Sequence, residues 1–170
     1  MMVLLFTLTR TLTIAGFMAC CAASWAAQSP LEQYQAQFNH EKDPVRRAKL
    51  MPKLGRAEFE VIRRDLAAGN YDDAVKTVQA LESESAEVED ALEATGIDAE
   101  KNPSGFKEFQ ISVRSNIDRL NDLMAGMTAD EQPPFGHARK ELQEIDRALI
   151  QRLFPRQPKA ESEHGKAKPD

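Results

Sequence analysis

From Leu50 to Phe154, apolar residues return every third or fourth position, and nowhere beyond residue 27 do they alternate with period two. That spacing winds a stripe of oily side chains along one face of a 3.6-residue helix, whereas a sheet face needs every second position. The chain is therefore expected to be all-α: an up-down antiparallel bundle of about four helices, preceded by a signal peptide and followed by a disordered tail. Its 170 residues are a one-domain length, and 42% hydrophobic content with 29% charge suits a single core.

Local signals place the elements. A short amphipathic piece, Leu31 to Asn39, carries Tyr34 and Phe38, and Asp43 offers an N-cap with Pro44 at the first helical position. Pro52 is expected to start another helix or to kink this one. From Pro52 to Ala68 there are two stripes, Phe59, Ile62 and Leu66 on one and Leu54 and Val61 on the other, and Gly69-Asn70 ends the helix. Tyr71 to Thr95 forms the next, with Ala74, Val78, Leu81, Ser85, Val88 and Leu92 as a seam that only Ser85 interrupts, and Gly96 as its stop. Ser104, after Pro103, is read as the cap of a third long helix to about Gly126, with Phe106, Val113, Ile117, Leu120 and Met124 as its seam and Phe109 and Leu123 beside it. Thr128 and Glu131 match a capping box, and Pro133-Pro134 open a helix whose stripe runs through Phe135, Ala138, Leu142, Ile145 and Leu149 to Phe154. Short links at 96–103 and 127–133 make sequential neighbours antiparallel.

The first 27 residues contain one charge, Arg10, then an apolar run from Leu12 to Ala23 and the small-residue site Ser24-Trp25-Ala26. This is the pattern of a secretory signal peptide, so the mature protein is expected to start near Ala27 and to be periplasmic or secreted. Two alternatives remain. The apolar residues ahead of Arg10 could extend the run into a retained anchor, although a spanning helix wants about 20 uninterrupted apolar residues. Lipidation at Cys20 or Cys21 is the other, although Phe17-Met18-Ala19 lacks the leucine usual before such a cysteine. The expected division is 1–26 signal peptide, 27–43 N-terminal segment with a short helix, 44–154 helical bundle, and 155–170 polar tail with no large apolar residue. Both cysteines lie in the leader, which leaves the mature domain without thiol, disulfide or thiolate ligand.

Charge is unevenly spread. Residues 42–56 hold six basic residues (Lys42, Arg46, Arg47, Lys49, Lys53, Arg56) against Asp43 alone, and residues 82–100 hold eight acids and no base. A chain folded at residues 69 and 70 would bring these runs together, with Arg56 beside Glu82 and Glu84, Lys53 near Glu87 and Arg46 with Glu93. The rival reading makes each run a docking surface for a partner of opposite charge. The net charge of −5 becomes −6 once Arg10 is removed, which argues against a nucleic-acid binder.

Residues 69–78, GNYDDAVKTV, resemble the second half of a tetratricopeptide unit. The stretch has no second copy and Ile62 stands where the first helix should have a small glycine, so it is read as a helix-turn-helix corner of the bundle. Ser104 and Lys107 satisfy S-x-x-K, but no S-D-N or K-T-G completes such a site, and a helix cap accounts for the serine. His137, Glu141 and Glu144 could share a flank of the last helix but lack the facing Glu-x-x-His sets of a di-iron bundle. Asp72-Asp73 suit a first helical turn, where the helix dipole favours negative charge. Met51, Met124 and Met127 could line an adaptable groove or fill core. Met127 to Gln132 resembles the L-T-x-x-Q motif of small exported stress chaperones, with the glutamine one residue late.

No catalytic, cofactor-binding or metal-binding residue is assigned. The expectation is an exported, non-enzymatic interaction or adaptor module for an unknown protein partner, with no nucleic acid and no membrane contact beyond the signal peptide unless that is retained or lipidated. The alternative is a periplasmic stress chaperone or sensor with an exposed apolar groove.

Overall fold

A computed structural model describes residues 29–155, so the expected signal peptide, and the tail from residue 156, lie outside the described residues. Those residues fold into five helices: α1 Pro30–His40, α2 Pro44–Ala67, α3 Tyr71–Ala94, α4 Phe106–Ala125 and α5 Gln132–Leu153. There is no strand among them. None of the helices is long and apolar enough to cross a membrane.

Side chains satisfy free backbone groups where three of these helices begin, the Glu108 carboxylate accepting from the Gly105 amide at 2.7 Å ahead of α4. Ser29 and Glu32 exchange hydrogen bonds at the start of α1: the Ser29 amide donates to the Glu32 carboxylate at 2.9 Å, and the Glu32 amide to Ser29 Oγ at 3.2 Å. The Asp43 carboxylate accepts from the Arg46 amide at 2.8 Å, with Pro44 opening α2 as expected. Pro52 neither starts nor ends a helix. It lies inside α2, whose faces are packed against α1, α3 and α4, and that burial outweighs the lost backbone donor.

Two antiparallel hairpins, α2/α3 and α4/α5, pack side by side, with α2 against α4 and α3 against α5. Within the first hairpin Arg47 meets Glu87, and within the second Gln110 meets Asp146. Between hairpins the contacting helices run parallel. Gly105 packs on Val45, Asn116 on Gly55, and Arg119 over Phe59; likewise Tyr71 reaches Glu131, and Arg152 reaches Glu93. The link from 95 to 105 therefore crosses the bundle diagonally and sets α4 beside α2, not beside its sequence neighbour α3. α1 is a fifth packed helix, laid on α2.

The core sits between the hairpins. Phe59, Ile62, Leu81, Phe109, Leu120, Phe135 and Leu142 are fully buried. All six expected α3 seam residues are buried, and Ser85 is accommodated because its hydroxyl donates to the Leu81 carbonyl at 2.7 Å.

Several local expectations are corrected. Ser104 is exposed and does not cap α4; the cap is Gly105, at φ +87°, where a Cβ would come within 2.9 Å of Val45 Cγ1. Thr128 and Glu131 do pair, but the Thr128 hydroxyl donates to the Glu131 carboxylate at 2.9 Å, closing a turn ahead of α5 instead of capping it. The α5 stripe ends at buried Leu153, leaving Phe154 exposed.

The proposed charge register holds only in outline. Arg47, not Lys53, meets Glu87, at 2.7 Å, while Glu82 faces His137 and Glu93 meets Arg152, both on α5. At 100° per residue, Glu82 and Glu93 lie within about 20° of each other on the helix and Glu87 about 140° away, so one acidic run serves two neighbours.

Candidate functional site

The most unusual chemistry lies where α1, α2 and α3 meet. Glu58 belongs to the α2 face that carries Leu54 and Val61, and it is only 1% exposed. Across from it on α3 is half-buried Glu84, whose Oε1 accepts from Gln35 Nε2 of α1 at 2.7 Å. Burial, then the Glu84 charge and a hydrogen bond to Glu84, push the Glu58 carboxyl up to about 9. Glu84 is also raised by burial, against the opposing pull of Gln35, Glu58 and Arg47.

Both shifts run upward, so the pair favours keeping a proton, with Glu58 the more strongly shifted of the two. One oxygen on each carboxyl is buried without a hydrogen-bond donor among the described residues, as is the Arg47 Nε at the same junction without an acceptor. Arg47 closes the junction on its outer side: its guanidinium lies 4.0 Å from the Phe38 ring centroid, and Nη1 bonds Glu87 Oε1 at 2.7 Å.

A second feature lies on the outer surface of α2 and α4. Lys49, Lys53, Arg56 and Arg63 are exposed on α2. Arg119 of α4 reaches toward them over Phe59, 5.4 Å from the ring centroid. Desolvation first, then the charges of Arg56 and Arg63, lower the Arg119 pKa, and only Glu60 opposes them. Among the described residues, none of the four α2 cations is in an ion pair.

The residues singled out from sequence do not converge. Ser104 and Lys107 are both exposed at the start of α4. His137 Nε2 is 3.4 Å from Glu82 Oε1 and lines an open depression of about 430 Å³ with Met124, Gln132 and Arg139. Glu144 pairs with Arg147 instead of joining His137, and Glu141 is exposed. Among the described residues, no three His, Cys, Asp or Glu side chains are grouped to hold a metal ion. Asp72 and Asp73 occupy the first turn of α3, where Asp73 bonds Lys76 at 2.7 Å. Met51 is fully buried, and Met124 and Met127 pack against the core.

The sequence pattern left Gln35 and Glu58 unmarked and set Glu84 beside Arg56, whereas Glu84 in fact meets Gln35 and Glu58. A signal for the two acids was present. Leu54, Glu58, Val61 and Asp65 recur at steps of four and three, which places two acids on a packed face, and Glu84 stands between the seam residues Leu81 and Val88.

No known family model, curated protein or solved structure matches the chain.

Proposed function

We propose that the chain is an exported, non-enzymatic interaction module that docks an acidic protein segment along the α2/α4 ridge. The observation that carries this reading is a cluster of positive charge that forms no ion pair among the described residues and has only Glu60 in its midst: Lys49, Lys53, Arg56 and Arg63, joined by Arg119. An otherwise acidic chain that keeps such a cluster unneutralised has a surface suited to attracting and orienting an acidic partner. Export rests on the leader pattern of residues 1–26 and on the absence of cysteine after it.

A crosslinked pull-down from the native envelope is expected to return a stoichiometric partner, with recovery falling at high salt. Charge reversal at two exposed sites, Lys53→Glu with Arg56→Glu, should abolish recovery without unfolding the bundle. Recovery of only substoichiometric, nonspecific material would overturn the proposal. Mass spectrometry of the mature N-terminus separates cleavage near Ala27 from retention or lipidation. The stress-chaperone alternative predicts suppression of aggregation of unrelated unfolded proteins. It needs an exposed apolar groove; of the methionines that suggested one, Met51 is fully buried and Met124 and Met127 are partly buried against the core.

A further inference from the structure

α1 differs from the other helices in how little holds it. Phe38 is its only buried residue, while Leu31 and Tyr34 are partly buried against the core; each of the other four helices buries six or more residues. Its polar connection to the bundle runs through the buried carboxyl pair, because Gln35 bonds the Glu84 oxygen that faces α1. The arginine that stacks on Phe38 is the one that bonds Glu87, so both attachments of α1 end on the acidic side of α3.

We propose that α1 is a latch held shut by the single proton shared between Glu58 and Glu84, and that losing this proton releases α1 from α2 and α3. Two adjacent carboxylates in a dry junction repel each other and both need water. Of the elements around them, α1 is the cheapest to move: it buries one residue fully and is joined to α2 by the short link 41–43.

The charged groups facing the pair are few. α3 supplies Glu84 and Glu87, and α2 supplies Arg47, whose charge supports the Glu84 carboxylate. α1 offers only the neutral Gln35. On α4, Asn116 lies against Gly55, and Arg119 interacts with Arg56, Arg63 and Glu60 instead. α5 packs on α3 and α4, away from α2. Arg47 is the one cation at the junction, and its Nη1 is already bonded to Glu87. Opening would uncover Phe38 and the Glu58 and Glu84 carboxyls beside the already exposed Glu87.

Hydrogen-exchange mass spectrometry on the full chain, corrected for the intrinsic pH dependence of exchange, tests the latch. Between pH 6 and 8, opening of peptide 30–40 should rise by up to about tenfold per pH unit, since the closed form binds a proton that the open form does not. Peptides from α4 and α5 should show no such rise. Glu58→Gln keeps a donor toward Glu84 and removes the more strongly shifted acid, so its α1 opening should lose most of its pH dependence. Glu84→Gln leaves Glu58 buried but removes the like charge, so a dependence weaker than that of the unaltered chain is expected. The idea fails if α1 and α5 open in parallel as pH rises. It fails equally if Glu58→Gln keeps the original slope, or if Glu84→Gln leaves that slope unchanged.

Discussion

The two hairpins of this bundle solve the same packing problem with different chemistry. In α4/α5, Phe109, Val113, Leu120, Phe135, Ala138 and Leu142 are all fully buried, and polar contacts such as Gln110 with Asp146 are only partly buried. In α2/α3, Leu54, Ile62, Val78 and Leu81 pack in the same way, but an acid, Glu58, is buried among them. Apolar burial is indifferent to pH, whereas a buried carboxyl is stable only while it holds its proton. The first hairpin should therefore respond to pH through its interior, and the second should not.

Truncation in the apolar hairpin should have the largest effect. Phe109 is fully buried, and Phe109→Ala should cost about 3–5 kcal/mol in urea unfolding, by the same amount at pH 5 and pH 8. A strong pH dependence of that loss would break the distinction between the hairpins.

Glu58→Gln follows, and its sign is opposite. The folded-state value of Glu58, about 9, lies above its ordinary 4.5. Its contribution is thus fully present below pH 4.5 and is lost progressively as pH rises toward about 9. At a ceiling near 1.4 kcal/mol per pH unit, the unaltered chain should lose about 2–4 kcal/mol between pH 5 and pH 8 that the glutamine variant keeps. Equal pH profiles for the two proteins would mean that the buried acid is not protonated when folded.

The contact between hairpins should be less costly to disturb. A Cβ at Gly55 would lie 2.9 Å from Asn116 Nδ2 and 3.1 Å from Oδ1, and the Asn116 amide nitrogen has no hydrogen-bond partner. Gly55→Ala should therefore cost about 1–3 kcal/mol of overpacking, partly offset by about 1 kcal/mol of improved helix propensity. In Asn116→Ala the obstructing amide is gone, so the same Gly55→Ala change should become neutral or stabilising. A double-mutant cycle with no coupling would show that α2 and α4 adjust independently.

These comparisons also show which parts of the fold were legible in the sequence. The α3 seam could be read because all six of its buried residues repeat at helical spacing, Ser85 included. The diagonal link was not legible. Periodicity reports which face of a helix is buried but not which neighbour covers it, and short links only favour antiparallel order. The carboxyl pair was hidden for another reason: a glutamate in a charged helix normally lies in solvent, and only its place between Leu54 and Val61 marked Glu58 as different. The charge runs were visible, but their pairing depended on α5, which competes with α2 for the acids of α3.

Two positions with the same sequence signature sharpen this limit and should show the smallest effects. Asp43 and Ser104 both look like N-caps, each beside a proline at a helix start. Only Asp43 makes the bond, accepting from the Arg46 amide at 2.8 Å, whereas Ser104 is exposed one residue ahead of the glycine that begins α4. Asp43→Ala should cost about 1 kcal/mol by losing that acceptor, and Ser104→Ala should stay within about 0.5 kcal/mol of the unaltered chain. The reason lies in the opposite hairpin: Gly105 abuts Val45, and a backbone at φ +87° set by that approach leaves the preceding serine off the helix axis. Equal losses at the two sites would mean that α4 can start at Ser104 after all, with Gly105 as an ordinary first-turn residue. The near approach of α4 to the start of α2 would then not govern where the second hairpin begins.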